Sequence, residues 1–328
     1  MAGFFDVLSE PPVKYGEGYP LFNRISIETS SFCNRKCVFC PVSTGRRDPE
    51  ATGGIKYMEM GLYSKIVAEL GSYGFKGVAQ MFLLNEPLLD KRLGEMTKMM
   101  KDACPKSSTY LSTNGDPIYG KGANLELAIA RMITLYDQGM NVINLNVYDA
   151  GEEQLKRYTE LVEALTTRFE VEVTENRYRH HAPSKAYVAL TDMRPERLSA
   201  KATDQFYQRG MNSRKPGSVK QQYCARTQRH LVVLYDGHVP ICCAIDPTDL
   251  SLKQMGDLHQ QTLWEIWNSE DYFKYRYYTQ QAKRVLPGCS TCDHKMSYPH
   301  VVRHVTAEPA MIEKWDAEVT KELSQETV

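Results

Sequence analysis

Nine cysteines in a chain of 328 residues are the side chains whose spacing most narrows the chemistry. Three of them, Cys33, Cys37 and Cys40, stand in CNRKCVFC, a C-x3-C-x2-C loop directly after a strand-like segment. Three thiolates on one short loop can hold three corners of a 4Fe–4S cube and leave the fourth iron open to a ligand. A zinc site short of one ligand is the competing reading, but structural zinc normally takes four protein ligands. Cys224, Cys242, Cys289 and Cys292 form a second, spread-out set that ends in CSTC. Four thiolates suffice to ligate another 4Fe–4S cluster completely. A zinc ribbon is the alternative, although only 289–292 has the C-x2-C spacing of a knuckle. Cys243 adjoins the second set, and Cys104 falls at a helix end, where a free cysteine commonly packs as a small hydrophobe. The odd total and the tight groups argue against a disulfide framework and for metal binding in a reducing compartment.

Elements that position these residues follow from periodicity. Residues 24–29 (RISIET) alternate as a half-buried strand, 62–70 carry helical spacing that stops at Gly71 and Gly74, and 78–84 read as a buried strand. A helix near 91–103, a strand at 109–112, a helix at 124–138, a strand at 142–147, a helix at 152–166 and a strand at 169–174 complete the run. Such alternation predicts a parallel α/β sheet or barrel. In three strands the apolar residues share one side, while Ser26, Glu28, Asn144, Asn146, Glu170 and Glu172 share the other. A parallel sheet covered by helices on both faces is apolar on both. The pattern therefore favours a polar lumen over edge strands with one wet face, with Glu28, Glu170 and Glu172 as candidate substrate contacts.

Beyond residue 176 the pattern changes. Residues 177–223 resist assignment apart from a strand at 186–190; Tyr178, Arg179, Arg194 and Arg226 are candidates for substrate contact. A hairpin is predicted at 230–245 around Asp236–Gly237, then a helix at 262–275. A terminal amphipathic helix begins near Pro309, with Ile312, Trp315, Val319 and Leu323 on one face. Lys+Arg and Asp+Glu are both 40, a balance that gives no support for a nucleic-acid or anionic-membrane partner. The N-terminal residues lack a signal-peptide layout and no run reaches transmembrane length, so a cytoplasmic location is expected.

The first cysteine loop, with its place after the first strand, resembles the defining loop of the radical S-adenosylmethionine (SAM) superfamily over roughly residues 20–180. The resemblance implies a leader over 1–19 and a partial, TIM-like (β/α)6 barrel over 20–185. There the amine and carboxylate of SAM bind the open iron, and one electron breaks a carbon–sulfur bond to give a 5′-deoxyadenosyl radical. It implies that Phe39 packs near the adenine. LNEP at 84–87 resembles the family's Gly-Gly-Glu segment, with Asn85 in place of the second glycine and Glu86 as the partner of the SAM amine. STNG at 112–115, with Asn114, resembles the end of the third strand, and Asn146 lies where a polar residue meets the ribose or carboxylate. After a connecting segment at 186–223, residues 224–300 resemble the small α+β SPASM/Twitch domains, followed by a C-terminal helix at 301–328. The four-cysteine form implies one auxiliary 4Fe–4S cluster that moves an electron, making two clusters in all.

These features imply an oxidoreductase that dehydrogenates an alcohol of a small polar molecule. The Twitch-type resemblance points to aminocyclitols or aminoglycosides in natural-product biosynthesis, with an external reductant such as flavodoxin or ferredoxin. An epimerase with Cys243 as hydrogen donor is the alternative, and a peptide-modifying maturase a third.

Overall fold

The computed structural model describes residues 12–37, 40, 42, 45, 47–120, 122, 124–175, 180–194, 223–243, 253–283, 285–290, 292 and 304–325. Phe39, Tyr178 and Arg179, and the side chain of Leu323, lie outside the described residues. The chain forms two compact units, one from within 23–207 and 233–237, the other from within 1–22, 208–232 and 238–328.

After a two-residue strand of the other unit, β1 (Val13–Lys14), the first unit builds a parallel sheet. Its strands are β2 (Arg24–Ile27), β3 (Val78–Gln80), β4 (Ser108–Thr113), β5 (Val142–Val147), β6 (Val171–Val173) and β7 (Ala186–Asp192). They lie in the order β6-β7-β5-β4-β3-β2, and every neighbouring pair is parallel. Among the described residues no ladder joins β6 back to β2. The sheet runs on through Asp192, beyond the barrel limit expected at residue 185.

Helices between the strands bury one stripe each, as the apolar spacing demands. Helix α2 (Met60–Ser72) buries Leu62, Tyr63, Ile66, Val67 and Leu70, and α6 (Glu153–Arg168) buries Tyr158, Leu161, Ala164 and Leu165. Between them lie α3 (Leu93–Ala103), α4 (Asp116–Tyr119) and α5 (Leu125–Asp137), the last started by Asn124, whose side chain accepts from Leu127 N–H.

Both faces of β2 and β5 are buried, the polar one included: Ser26, Glu28, Asn144 and Asn146 are all sequestered. Hydrogen bonds account for the polar face. Ser26 Oγ donates to Gln80 Oε1 (2.9 Å), and Asn146 Nδ2 donates to Ser112 Oγ and to Thr113 O (2.9 Å each). On β6 the expectation fails: Glu170 and Glu172 are exposed, and Glu172 pairs with Lys185 outside the interior. The reason is position. β6 is the sheet edge, and of its three residues only Val171 is covered, while Val173 is 62% exposed.

In the second unit, β1 pairs with β11 (Val305–Thr306), so residues 12–22 belong here rather than leading into the barrel. Trp267 Nε1 donates to Pro20 O (2.9 Å), and the Tyr19 and Phe22 rings meet Trp267 edge-on. The Gly237 turn forms at φ +85°, but the expected hairpin is rearranged. Strand β9 (His238–Val239) pairs antiparallel with β10 (Gly256–Asp257) and not with the segment at 230–232. The single helix expected at 262–275 is two. A capping box of Thr262 and Glu265 starts Leu263–Trp267, and Ser269 caps a new start at Glu270–Gln280. The terminal helix, Pro309–Gln325, buries Trp315 and Val319.

Candidate active site

The cysteine loop leaves the end of β2 and is tied down by Arg35. Its guanidinium forms ion pairs with Asp116 and Asp149, each with an N–O distance of 2.6 Å, and lies over the Tyr148 ring at 5.7 Å. Those three partners come from the segments after β4 and β5. Asn34 adds a bond to Asp116 (2.9 Å) and accepts from Asn114 Nδ2 (2.8 Å). Nothing in the spacing of the sequence names Asp116, Tyr148 or Asp149; they reach the cysteine loop only because parallel strands place their C-terminal ends side by side.

Cys33, Cys37 and Cys40 are half-buried, and Cys40 N–H donates to Cys37 O (2.8 Å). Burial pushes the Cys33 thiol up to about 12 and the other two up to about 11, and neighbouring thiols reinforce each shift. The three sulfurs are thus close enough to feel one another. Among the described residues no three His, Cys, Asp or Glu side chains are gathered closely enough to hold a metal ion as they stand. Three soft donors on one short loop suit a cube that keeps one iron open.

Two buried carboxylates flank this loop. Glu86 acts on Cys33 and Glu28 acts on Cys40. Glu86 N–H donates to Phe32 O (2.9 Å), which locks the LNEP segment to the loop. Its Oε1 accepts from Thr113 Oγ1 (2.6 Å) and Leu88 N–H (3.1 Å), and its Oε2 from Asn114 N–H (2.8 Å). A carboxylate offers about four lone-pair positions, so Oε2 retains one for an ammonium or amine. Burial raises the Glu86 carboxyl to about 7 against those three donors. Asn85 is engaged within the loop, donating to Thr29 Oγ1 (3.1 Å) and accepting from Leu83 N–H (3.1 Å).

Asn114 reaches toward the same place, with Nδ2 4.0 Å from Cys33 Sγ. The next residue, Gly115, has φ +74°, and a Cβ there would stand 2.4 Å from Tyr158 Oη, which itself donates to Asn114 O (2.6 Å). The STNG glycine is therefore required twice over. Asn146 is less free: both its amide hydrogens are used inside the sheet, and its Oδ1 accepts from Asn144 (2.9 Å).

Glu28 is fully buried, and its Oε1 accepts from Arg47 (2.5 Å) and Leu84 N–H (3.2 Å). Its Oε2 is buried with no hydrogen-bond partner. Arg47 also lies over the Tyr235 ring at 5.5 Å. Of the three carboxylates expected to face the interior, only this one does. Arg194, another candidate contact, is fully buried and taken up by Asp192 and Glu152 (2.7 Å each).

In the second unit burial, then the adjacent Cys243, raise the Cys242 thiol to about 12, and the charges of Cys224 and Cys292 act on it as well. Tyr275 feels both Cys289 and Cys242, so the four expected ligands share one neighbourhood. Cys289 N–H donates to Leu286 O (2.9 Å) and Cys292 N–H to Cys289 O (3.0 Å), the tight turn a C-x2-C pair needs. Cys243 Sγ accepts from Arg226 and lies 3.6 Å from His230 Nδ1. Cys104, in contrast, is simply buried at the end of α3.

Comparison with known proteins accords with both regions. Residues 224–293 match the SPASM family, an iron–sulfur cluster-binding domain. The chain is 33% identical over 140 residues to the S-adenosyl-L-methionine-dependent 2-deoxy-scyllo-inosamine dehydrogenase of Niallia circulans. That match covers 42% of this chain and about half, 54%, of the relative. The fold is similar to that of BtrN in complex with AdoMet and 2-DOIA, with a TM-score of 0.62 at 21% identity over 87% of this chain and 98% of the other. An open conformation of BtrN gives 0.53 at 20% identity over 84% of this chain and 93% of the other. Residues 224–293 thus match an iron–sulfur cluster-binding family, part of the chain is similar to an S-adenosyl-L-methionine-dependent dehydrogenase, and the fold is like that of BtrN.

Proposed function

We propose that this protein dehydrogenates a secondary alcohol of a small aminocyclitol to a ketone, using SAM and two 4Fe–4S clusters. When bound, these groups supply hydrogen-atom abstraction and an outlet for one electron. The observation that carries the reading is the pair of buried carboxylates beside the cysteine loop, each with an acceptor position open. Glu86 Oε2 would take the amine of SAM, with Asn114 holding the carboxylate from the other side. Glu28 Oε2, steadied by Arg47, would take a hydroxyl or ammonium of the substrate and fix which carbon faces the cofactor. Cys33, Cys37 and Cys40 would hold the first cluster, and Cys224, Cys242, Cys289 and Cys292 the second. The name of the Niallia circulans relative supports the substrate class. Epimerisation would need Cys243 as hydrogen donor; its sulfur accepts from Arg226 and lies 3.6 Å from His230 Nδ1. Among the described residues no helix is long and apolar enough to cross a membrane. A cytoplasmic one-electron donor such as flavodoxin or ferredoxin would serve as reductant.

The test is anaerobic turnover of the reconstituted chain with SAM and 2-deoxy-scyllo-inosamine. The expected result is 5′-deoxyadenosine in step with a product two hydrogens lighter. A product of unchanged mass would point to epimerisation, and no 5′-deoxyadenosine with any aminocyclitol would overturn the substrate assignment. Glu28→Gln is expected to raise the substrate KM at least tenfold while SAM binding is kept.

A further inference from the structure

Arg226 opens the one-turn helix Arg226–Arg229, two residues after Cys224. It is half-buried with its Nε wholly sequestered, and its guanidinium donates to Cys243 Sγ. His230 Nδ1 stands 3.6 Å from the same sulfur. The charges that bear on Arg226 are those of Cys243, Cys242, Cys224 and Cys292, three of which are expected cluster ligands. Its helix is clamped in place. Arg276, stacked 4.0 Å from the Tyr19 centroid and 4.1 Å from that of Trp267, donates through Nε to Thr227 O (3.0 Å). Thr227 and Thr279 share a hydroxyl hydrogen bond (3.1 Å), and Cys224 N–H donates to Thr279 O (3.3 Å). Arginine stays protonated in proteins, so this is a permanent positive charge held among cysteine sulfurs.

We propose that Arg226 sets the reduction potential of the auxiliary cluster, raising it so that the cluster takes the electron left on the substrate radical as the hydroxyl proton passes to water and the ketone forms. The proposal rests on the reading of 224–293 as an iron–sulfur domain and deepens its role in dehydrogenation. Reduction adds one negative charge to a cluster that is already anionic with its four thiolates. A fixed cation at close range, in a poorly solvated setting, stabilises the reduced form more than the oxidised one. Net charge and hydrogen bonds near the sulfurs are the protein's main means of tuning such potentials. Cys243 then orients the guanidinium: its sulfur, beside ligand Cys242, accepts from Arg226 and keeps the charge pointed at the cluster.

The experiment is an EPR-monitored redox titration of the full-length reconstituted chain. The auxiliary signal is assigned from a Cys33→Ala/Cys37→Ala/Cys40→Ala chain, which retains only that cluster. Arg226→Gln is expected to lower the reduced-to-oxidised ratio at a fixed potential at least tenfold, equivalent to about 59 mV for one electron. Arg226→Lys, which keeps the charge, is expected to stay within about threefold, and the first cluster's potential should not move in either variant. An unchanged ratio in Arg226→Gln with full iron content overturns the proposal. If the glutamine variant does not assemble its cluster, the lysine variant decides: a tenfold fall there overturns the proposal, and a retained potential supports it. A wild-type chain with only about four irons would sink the two-cluster reading itself and the proposal with it. A shifted potential in an enzyme that leaves aminocyclitols untouched would instead overturn the substrate assignment alone.

Discussion

Glu86 is a buried carboxyl whose protonation bears on folding and, on the function proposed, on SAM binding. In the folded chain it keeps its proton up to about 7, against an ordinary 4.5, because desolvation outweighs the donors from Thr113, Asn114 and Leu88. Between those values the folded state binds more protons than the unfolded one. Stability is therefore fullest below the ordinary carboxylate value and is lost as pH rises through about 7. At about 1.4 kcal/mol per unit the loss amounts to ~3 kcal/mol. Urea unfolding of the iron-free chain across this window is expected to show that fall, and Glu86→Gln to flatten it. The same variant is expected to weaken SAM binding at least tenfold, since an amide turned toward Asn114 N–H opposes donor to donor. The thiols carry a related sign. With Cys33, Cys37 and Cys40 raised to about 12, 11 and 11, iron must displace their protons, so cluster assembly is expected to speed up as pH rises above neutrality. Cysteine spacing was legible because coordination chemistry dictates it. The partners of Glu86 were not, since they come from another strand.

At the scale of elements, the site depends on how the loops after β2, β4 and β5 are tied together. Arg35 makes that tie with paired bonds to Asp116 and Asp149. Arg35→Ala is expected to cost about 1–2 kcal/mol, both aspartates being partly exposed. Its clearer signature is several-fold faster loss of iron to a chelator from the first cluster, with the second unaffected. Gly115 tests the turn after β4. A methyl group there would meet Tyr158 Oη at 2.4 Å, in a backbone conformation that L residues resist. Gly115→Ala is expected to cost about 2–4 kcal/mol in thermal or urea unfolding and to abolish SAM binding. The strand and helix order was readable from periodicity. The exposed Glu170 and Glu172 were not, because alternation marks two sides of a strand without saying whether a neighbour covers either one.

The whole molecule is expected to carry about eight irons per chain after reconstitution. Cys292→Ala is expected to reduce this to about four, and then to leave SAM cleavage intact while ketone formation falls at least tenfold. Equal loss of 5′-deoxyadenosine and ketone would instead make the second cluster structural. The leader shows how far organisation can depart from chain order. Val13 and Lys14 pair with β11 and Pro20 O accepts from Trp267, so residues 12–22 and the segment around β11 help build the unit that holds the second cysteine set.

The sequence by itself determined where the candidate cysteine ligands lie, since C-x3-C-x2-C and CSTC can be read without coordinates, and it determined the parallel α/β order from alternating periods. Tertiary structure decided which polar side chains face inward, which carboxylates keep an acceptor open, and what Cys243 touches. The division has a physical cause. Ligand spacing and periodicity are local properties of a chain, whereas burial and the satisfaction of a lone pair depend on neighbours far away in sequence. Glu28 and Glu172 read alike as residues on the polar side of a strand. One lies at the sequestered end of β2 with a free oxygen, and the other on the exposed edge at β6 with a lysine.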